Sequence, residues 1–368
     1  MIALDLRVCE FHGHSMKSSI LLPLTLCFAS VMHLPMRLSA EVAVAPANAI
    51  SDLKDRTFEA RDTTNFADEK DPDACACLKG LDWNRGNFSV QTTTAEKGRG
   101  DFLVRFPTPR PSGDATNDLV AMEWYVARDE NNQPKRAPAI VIVHESGRGM
   151  AAALIFSRGL RHLGYHTFLI HLPGYGARTS DFTGDIKQMF PGLQQAVADV
   201  RRARDAVASL PLVDTSLIAL QGTSLGGFIV ATVAGIDQGY QKSFILLAGG
   251  HLAKVILTGQ KDAANMRKRF AEAGISDEQI NDLSHGIEPL RLARRVNPKQ
   301  TWLFSGKYDE VVPPACSKAF VEAAQLKDGH HVEYPVGHYT AALFMPSMLE
   351  RIHDLMMGRE PKPVAPAP

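Results

Sequence analysis

The sequence predicts an α/β architecture. A mostly parallel central sheet carries helices on both faces, with a helical insertion after the sixth strand. Three observations lead there. Apolar runs of strand length alternate with segments of helical spacing from about residue 101 to 357. One run, 217–221, leads straight into Gly222-Thr223-Ser224-Leu225-Gly226-Gly227, a G-x-S-x-G turn between strand and helix. The remaining polar residues suited to chemistry fall just past strand ends, where open α/β sheets hold ligands.

Composition bounds the class. The chain has 368 residues, 45% apolar and 22% charged, enough for one large domain. Net charge is +0 with no long run of one sign, which argues against nucleic acid or an anionic membrane as partner. Residues 1–49 read as an export segment, with 1–15 a possible upstream extension before Met16. Lys17 supplies the positive start, 20–32 a short apolar run broken by Pro23, and Leu38-Ser39-Ala40 or Ala47-Asn48-Ala49 the cleavage site. The expected location is periplasmic or secreted, with no stable membrane association once the segment is removed. The alternative is an anchor through the uncleaved segment. Of five cysteines, Cys9 and Cys27 leave with it. Cys75, Cys77 and Cys316 remain, an odd number that implies no disulfide framework. Cys75-Ala76-Cys77 lacks the second ligand pair of a zinc site, so no metal is expected.

Along the chain, 50–100 reads as a polar, irregular N-terminal extension packing on the main domain of 101–358. Strands are expected at 101–106 and 119–127, with a Pro/Gly/Asp-rich turn at 107–117 between them. The continuous apolar run 139–143 suits a parallel strand covered on both faces. A helix over 150–163 ends at Gly164, and a strand follows at 165–172. The helix over 191–210 has one apolar stripe from Leu193 to Leu210, with Arg201, Arg202, Arg204 and Asp205 off it. After the strand 216–221, a helix runs to about Gly235 and a strand occupies 243–248. Residues 251–297 break the rhythm. They read as a charged helical insertion, a lid or a surface hairpin, with a capping box at Ser276 and Gln279. The alternation resumes at 301–305, 314–324, 331–336 and 345–357, and the Pro/Ala-rich tail 359–368 is expected to be disordered.

The chemistry follows from residue types and order. A serine on a sharp strand-to-helix turn is lifted clear of the sheet, and glycines two residues either side let strand and helix pass closely. Its hydroxyl needs a base, and the base an orienting carboxylate. Asp309, after the strand 301–305, is placed as that acid, with Glu310 the neighbouring alternative. His338, past the last strand and Gly337, is placed as the base; His330 and His331 precede that strand, at the wrong end. A tetrahedral intermediate needs N–H donors. The Leu225 amide is one candidate. The second is the Ser146 amide, or that of Glu145, in His144-Glu145-Ser146-Gly147-Arg148-Gly149. Tyr175 and His251 are candidate pocket walls. No cofactor is required.

These segments, with 306–313 reading Gly-Lys-Tyr-Asp-Glu-Val-Val-Pro, resemble an α/β-hydrolase over about 101–357, most similar to the dienelactone-hydrolase-like and acyl-esterase branches. Two departures stand out. Dienelactone hydrolases use cysteine where this chain has Ser224, and many esterases have His-Gly where it has His144-Glu145. The resemblance implies that Glu145 contacts the resting nucleophile or acts as a hydrogen-bond partner one layer out. The leading expectation is a serine esterase acting on a small-molecule ester. A peptidase of the same fold would need an acidic amine pocket or a propeller, for which the chain is short. A hydrolase-fold binding protein without catalysis is the third reading.

Overall fold

The structure, a computed structural model, describes residues 51–66, 69–180 and 185–361. The expected export segment and most of the expected C-terminal tail lie outside the described residues. Ten strands among the described residues form one sheet: β1 (Arg56–Arg61), β2 (Asn87–Thr94), β3 (Phe102–Pro107), β4 (Leu119–Tyr125), β5 (Ala137–Val143), β6 (His166–His171), β7 (Val213–Thr223), β8 (Lys242–Leu246), β9 (Thr301–Gly306) and β10 (His331–Tyr334). Their order is β1-β2-β3-β4-β6-β5-β7-β8-β9-β10. From β6 to β10 neighbouring strands run parallel. The β1–β4 end and the β4–β6 junction are antiparallel, so the sheet is mixed.

The centre of the sheet is dry on both faces. In β5, Ile140 and Ile142 face one hydrophobic cluster with Phe156 and Leu160 of α2 (Ala151–His162) and Ile352 of α9 (Met345–Met356). Val141 and Val143 face the other cluster, with residues of α3 (Met189–Ala208), α4 (Leu225–Ala234) and α8 (Pro314–Ala323). A strand that alternates between two cores has no polar positions, which is why its sequence is a continuous apolar run.

The reading of 50–100 as irregular is corrected. This segment contains β1, the helix α1 (Pro72–Leu81) and β2, which lengthen the sheet. In β2, Phe88, Val90 and Thr92 point inward while their neighbours are polar. Five alternating residues in a polar context are too few for periodicity to stand out. The insertion therefore follows the eighth strand, not the sixth. It contains α5 (Leu252–Thr258), α6 (Asp262–Glu272) and α7 (Asp277–His285), and the Ser276–Gln279 capping box opens α7.

The charged residues of α3 are not on an outer face. Arg201, Arg202 and Asp205 are buried. The segment after β1 lies over them: Arg202 pairs with Asp62 at 2.9 Å, and Thr63 N–H and hydroxyl each donate to Asp205 at 2.8 Å. Arg201 pairs with Asp237 at 2.7 Å. Burial of charge is tolerable only with such pairing. The covering element is far away in sequence, so helical periodicity alone cannot reveal it.

His166 pins the sheet where β4, β5 and β6 meet. Its Nδ1 accepts from Trp124 Nε1–H at 3.1 Å and Ala127 N–H at 3.0 Å. Its Nε2–H faces the carbonyls of Lys135 at 3.0 Å and Leu212 at 2.9 Å. Burial pushes its pKa down to about 4, and that of the equally enclosed His144 to about 3. Both are neutral in the native state, whereas the unfolded chain takes up these protons near pH 6.5. Their contribution is complete above that pH and is lost as pH falls towards 4. The urea midpoint should therefore drop between pH 6.5 and 4.5, each histidine contributing up to about a tenfold change in the folding equilibrium per pH unit. Urea melts of the native protein and of His166→Gln check this, the variant showing the shallower pH slope.

Candidate active site

The site begins with the turn that ends β7. Ser224 takes φ 53 and ψ −116, a backbone conformation sparsely populated by residues with a side chain. Its N–H donates to Leu246 O at 2.8 Å, and its carbonyl accepts from Phe228 N–H at 3.1 Å as α4 starts. A Cβ on Gly222 would strike the Gly226 carbonyl, and one on Gly226 would strike that of Val143. Both positions therefore require glycine.

Three side chains from separate strand ends meet here. His338 Nε2 lies 2.9 Å from Ser224 Oγ, and His338 Nδ1 lies 2.7 Å from Asp309 Oδ2. With Nδ1–H donated to the carboxylate, Nε2 is the acceptor facing the hydroxyl. The other carboxylate oxygen accepts the N–H groups of Val311 at 2.9 Å and Val312 at 2.8 Å. Asp309 is 5% exposed, so its direction is set by fixed dipoles, not by water. Glu310, the alternative acid, is half exposed and pairs with Lys261 at 3.0 Å. His331 contacts Ser305 Oγ at 2.8 Å and His330 contacts Thr301 O at 2.8 Å, both at the opening of β10.

The loop after β5 faces the start of α4. Ser146 and Leu225 both line a cavity of 380 Å³, together with Tyr175 and, from α6, Met266 and Arg269. The Leu225 amide belongs to the first turn of α4, where no helical carbonyl is available to it. Tyr175 hydroxyl donates to Ser146 O at 3.0 Å, which holds the Ser146–Gly147 peptide, the one next to the Ser146 N–H.

One expectation is narrowed and one corrected. The resemblance implied that Glu145 contacts the nucleophile or acts as a hydrogen-bond partner one layer out. Its carboxylate accepts Ala152 N–H at 2.9 Å and Ala153 N–H at 3.3 Å, at the start of α2. First-turn N–H groups without a helical carbonyl and the positive helix end draw it there. His251 was a candidate pocket wall. It lies instead in a separate hollow with Glu288 and His285, and its N–H donates to Glu288 Oε1 at 2.8 Å.

Other residues emerge only from the structure. His144 is fully buried; its Nε2 accepts from Leu172 N–H at 3.1 Å while Nδ1 faces Glu145 O at 2.5 Å. It thus ties the loop after β5 to the loop after β6. Glu123 receives His171 Nε2–H at 2.9 Å, Tyr125 hydroxyl at 2.7 Å and Arg99 at 2.9 Å. Burial alone would raise its pKa, but these donors hold it below the usual range. His144 had a signal, its place directly after an apolar strand. Glu123 and His171 had none, because each looks like one more strand residue.

The site can support acyl transfer: a hydroxyl on a strained turn, an imidazole nitrogen facing it, a buried carboxylate behind the imidazole and backbone donors beside them. The comparisons agree with this class. A family model described as the Prolyl oligopeptidase family matches residues 156–338, a span that contains Ser224, Asp309 and His338. An acetyl xylan esterase from Paenibacillus sp. R4 superposes with a TM-score of 0.55 at 16% identity, covering 84% of this chain and 99% of its own. Acetyl xylan esterase 1 from Thermoanaerobacterium sp. JW/SL YS485 gives 0.50 at 15%, covering 83% and 99%. The acylaminoacyl peptidase of Pyrococcus horikoshii gives 0.52 at 13%, covering 76% and 49%. An uncharacterized protein of Mycobacterium tuberculosis is 29% identical over 199 residues, 49% of this chain. The chain spans about half the length of that curated relative, 45% of it. The chain has the α/β-hydrolase fold.

Removing the Tyr175 hydroxyl loosens the Ser146–Gly147 peptide and with it the loop that carries the Ser146 N–H. Tyr175→Phe should lower kcat/KM for a short ester about tenfold. Steady-state kinetics beside a thermal melt check this, the melt shifting by only a few degrees.

Proposed function

We propose that this protein is a serine hydrolase that cleaves carboxylic esters through an acyl-enzyme. The observation that carries the reading is the placement of His338 between Ser224 and Asp309, at 2.9 and 2.7 Å. Ser224 Oγ attacks the carbonyl carbon while His338 Nε2 takes its proton. The C–O bond to the alcohol breaks, and His338 returns that proton to the leaving oxygen. Asp309 holds the imidazole in one tautomer and stabilises its charged form. The Leu225 and Ser146 amides are the candidate donors to the oxyanion. A water, deprotonated by His338, then attacks the acyl carbon and releases the acid. No cofactor enters these steps.

A peptidase is the second reading, favoured by the family model that covers 156–338. The cavity supports the ester instead. Among the described residues its wall includes two basic residues, Arg110 and Arg269, and one acidic residue, Asp185, whose carboxylate accepts Lys187 N–H at 2.9 Å. That balance does not suit a peptide's free ammonium. Export through residues 1–49 belongs to the same proposal; N-terminal sequencing of the mature protein should begin after residue 40 or 49.

A fluorophosphonate probe should label the native protein and leave Ser224→Ala unlabelled. Labelling that survives the substitution would refute the nucleophile assignment. Asp309→Asn should cost about 10⁴ in kcat by disturbing the tautomer of His338. On a panel of short acyl esters and peptide anilides, turnover should fall on the esters. Faster cleavage of the anilides would establish the peptidase reading.

A further inference from the structure

One strained residue outside the reacting groups touches both loops that carry the acid and the base. Lys261, between α5 and α6, takes φ 56 and ψ −113, nearly the backbone conformation of Ser224. Such conformations persist only where the surroundings over-determine them. The surroundings here are the acid and base loops. Gln260 N–H donates to Glu310 O at 2.8 Å, directly after Asp309. Lys261 Nζ pairs with Glu310 Oε2 at 3.0 Å and lies 5.3 Å over the ring of Tyr339. Tyr339 in turn stands edge-on to His338 at 5.6 Å, and its hydroxyl faces Asp262. A Cβ on Gly259 would strike the Val311 carbonyl, so the turn sits tightly on the acid loop.

The same helix reaches the cavity. Met266 and Arg269, one and two turns along α6 from Asp262, line its wall. Phe270 stacks on Phe190 at 5.6 Å, beside the cavity residues Met189 and Pro191. Arg267 secures the base of the turn by donating to the carbonyls of Ile256 and Leu257, each at 2.9 Å.

We propose that Lys261 is a positioning residue, and that the turn at 259–262 couples the helical insertion, and so the cavity wall on α6, to the placement of Asp309 and His338. This rests on the serine-hydrolase reading above. Lys261 acts through Glu310 and Tyr339 and touches no reacting atom. A strained backbone retained with a lysine side chain, where glycine would sit without strain, is explained by the two contacts that side chain makes. The ion pair is half exposed, so the effect expected from it is modest.

The test separates positioning from stability. Lys261→Gly relieves the strained φ while removing both contacts. It should melt at the same temperature as the native protein or higher, yet label with fluorophosphonate about threefold more slowly. The kcat for p-nitrophenyl acetate should fall with the labelling rate, and KM should move less. Lys261→Arg keeps the charge over Tyr339 and beside Glu310 and should recover most of the rate. Glu310→Gln leaves the Lys261 backbone untouched and should show the same slowing, which covers the case of a Lys261→Gly protein that does not fold. Labelling rates unchanged in Lys261→Gly or Glu310→Gln, or falling only together with the melting temperature, overturn the proposal. If native protein is labelled at Ser224 but the variants behave this way, only the positioning role fails. If native protein is not labelled at all, the serine-hydrolase reading fails and takes this one with it.

Discussion

The constraint on which the site depends is crowding of backbone at the end of β7. Strand β7, its neighbour β5 and helix α4 pass so closely that Gly222 and Gly226 have no room for a Cβ. Ser224 is bent into its unusual conformation by that approach and held by Leu246 O and Phe228 N–H. The strain is small beside the apolar contacts that enforce it: β7 and α4 are buried along most of their length. The same crowding brings the loop after β5, with Ser146, against the first turn of α4. Hydroxyl and backbone donors are therefore placed by one packing event.

Around this hinge, polar groups are fixed by partners from other elements. Asp309 is turned towards His338 because Val311 and Val312 occupy its second oxygen. The Ser146–Gly147 peptide is held by Tyr175, and Tyr175 packs obliquely on His144, with ring centroids 4.6 Å apart. His144 reaches the loop after β6, whose base is secured by the Glu123–His171 pair. Each buried polar group named here has its partner, which is the condition for burying it. The loops around the hydroxyl are thus rigid for reasons that lie one layer beneath them.

Much of the fold was legible in the chain. The parallel strands announced themselves as apolar runs, since a strand with two covered faces has no polar positions. The candidate groups Ser224, Asp309 and His338 stood out because each lies within a few residues of the end of such a run, with a glycine no more than three positions away. What was not legible has a common cause. β1 and β2 are short, half-polar strands whose inward residues gain meaning only once paired. Arg201, Arg202 and Asp205 read as solvent-facing because the segment that covers them lies some 140 positions away. For Glu145 the resemblance left two roles open, and its carboxylate answers to the N-terminus of α2, whose pull depends on where that helix begins in space.

The sequence by itself determined the class of fold, the alternation of strands and helices from about residue 101 onward, and the identity of the glycines without which the serine turn cannot close. These are local properties, set by periodicity and by the space a Cβ needs. Only the tertiary structure decided which side chains share a hydrogen bond, that the sheet extends to ten strands, and that α6 spans from the cavity to the acid and base loops. Those facts depend on distances between residues far apart in the chain, and a linear pattern carries no distances.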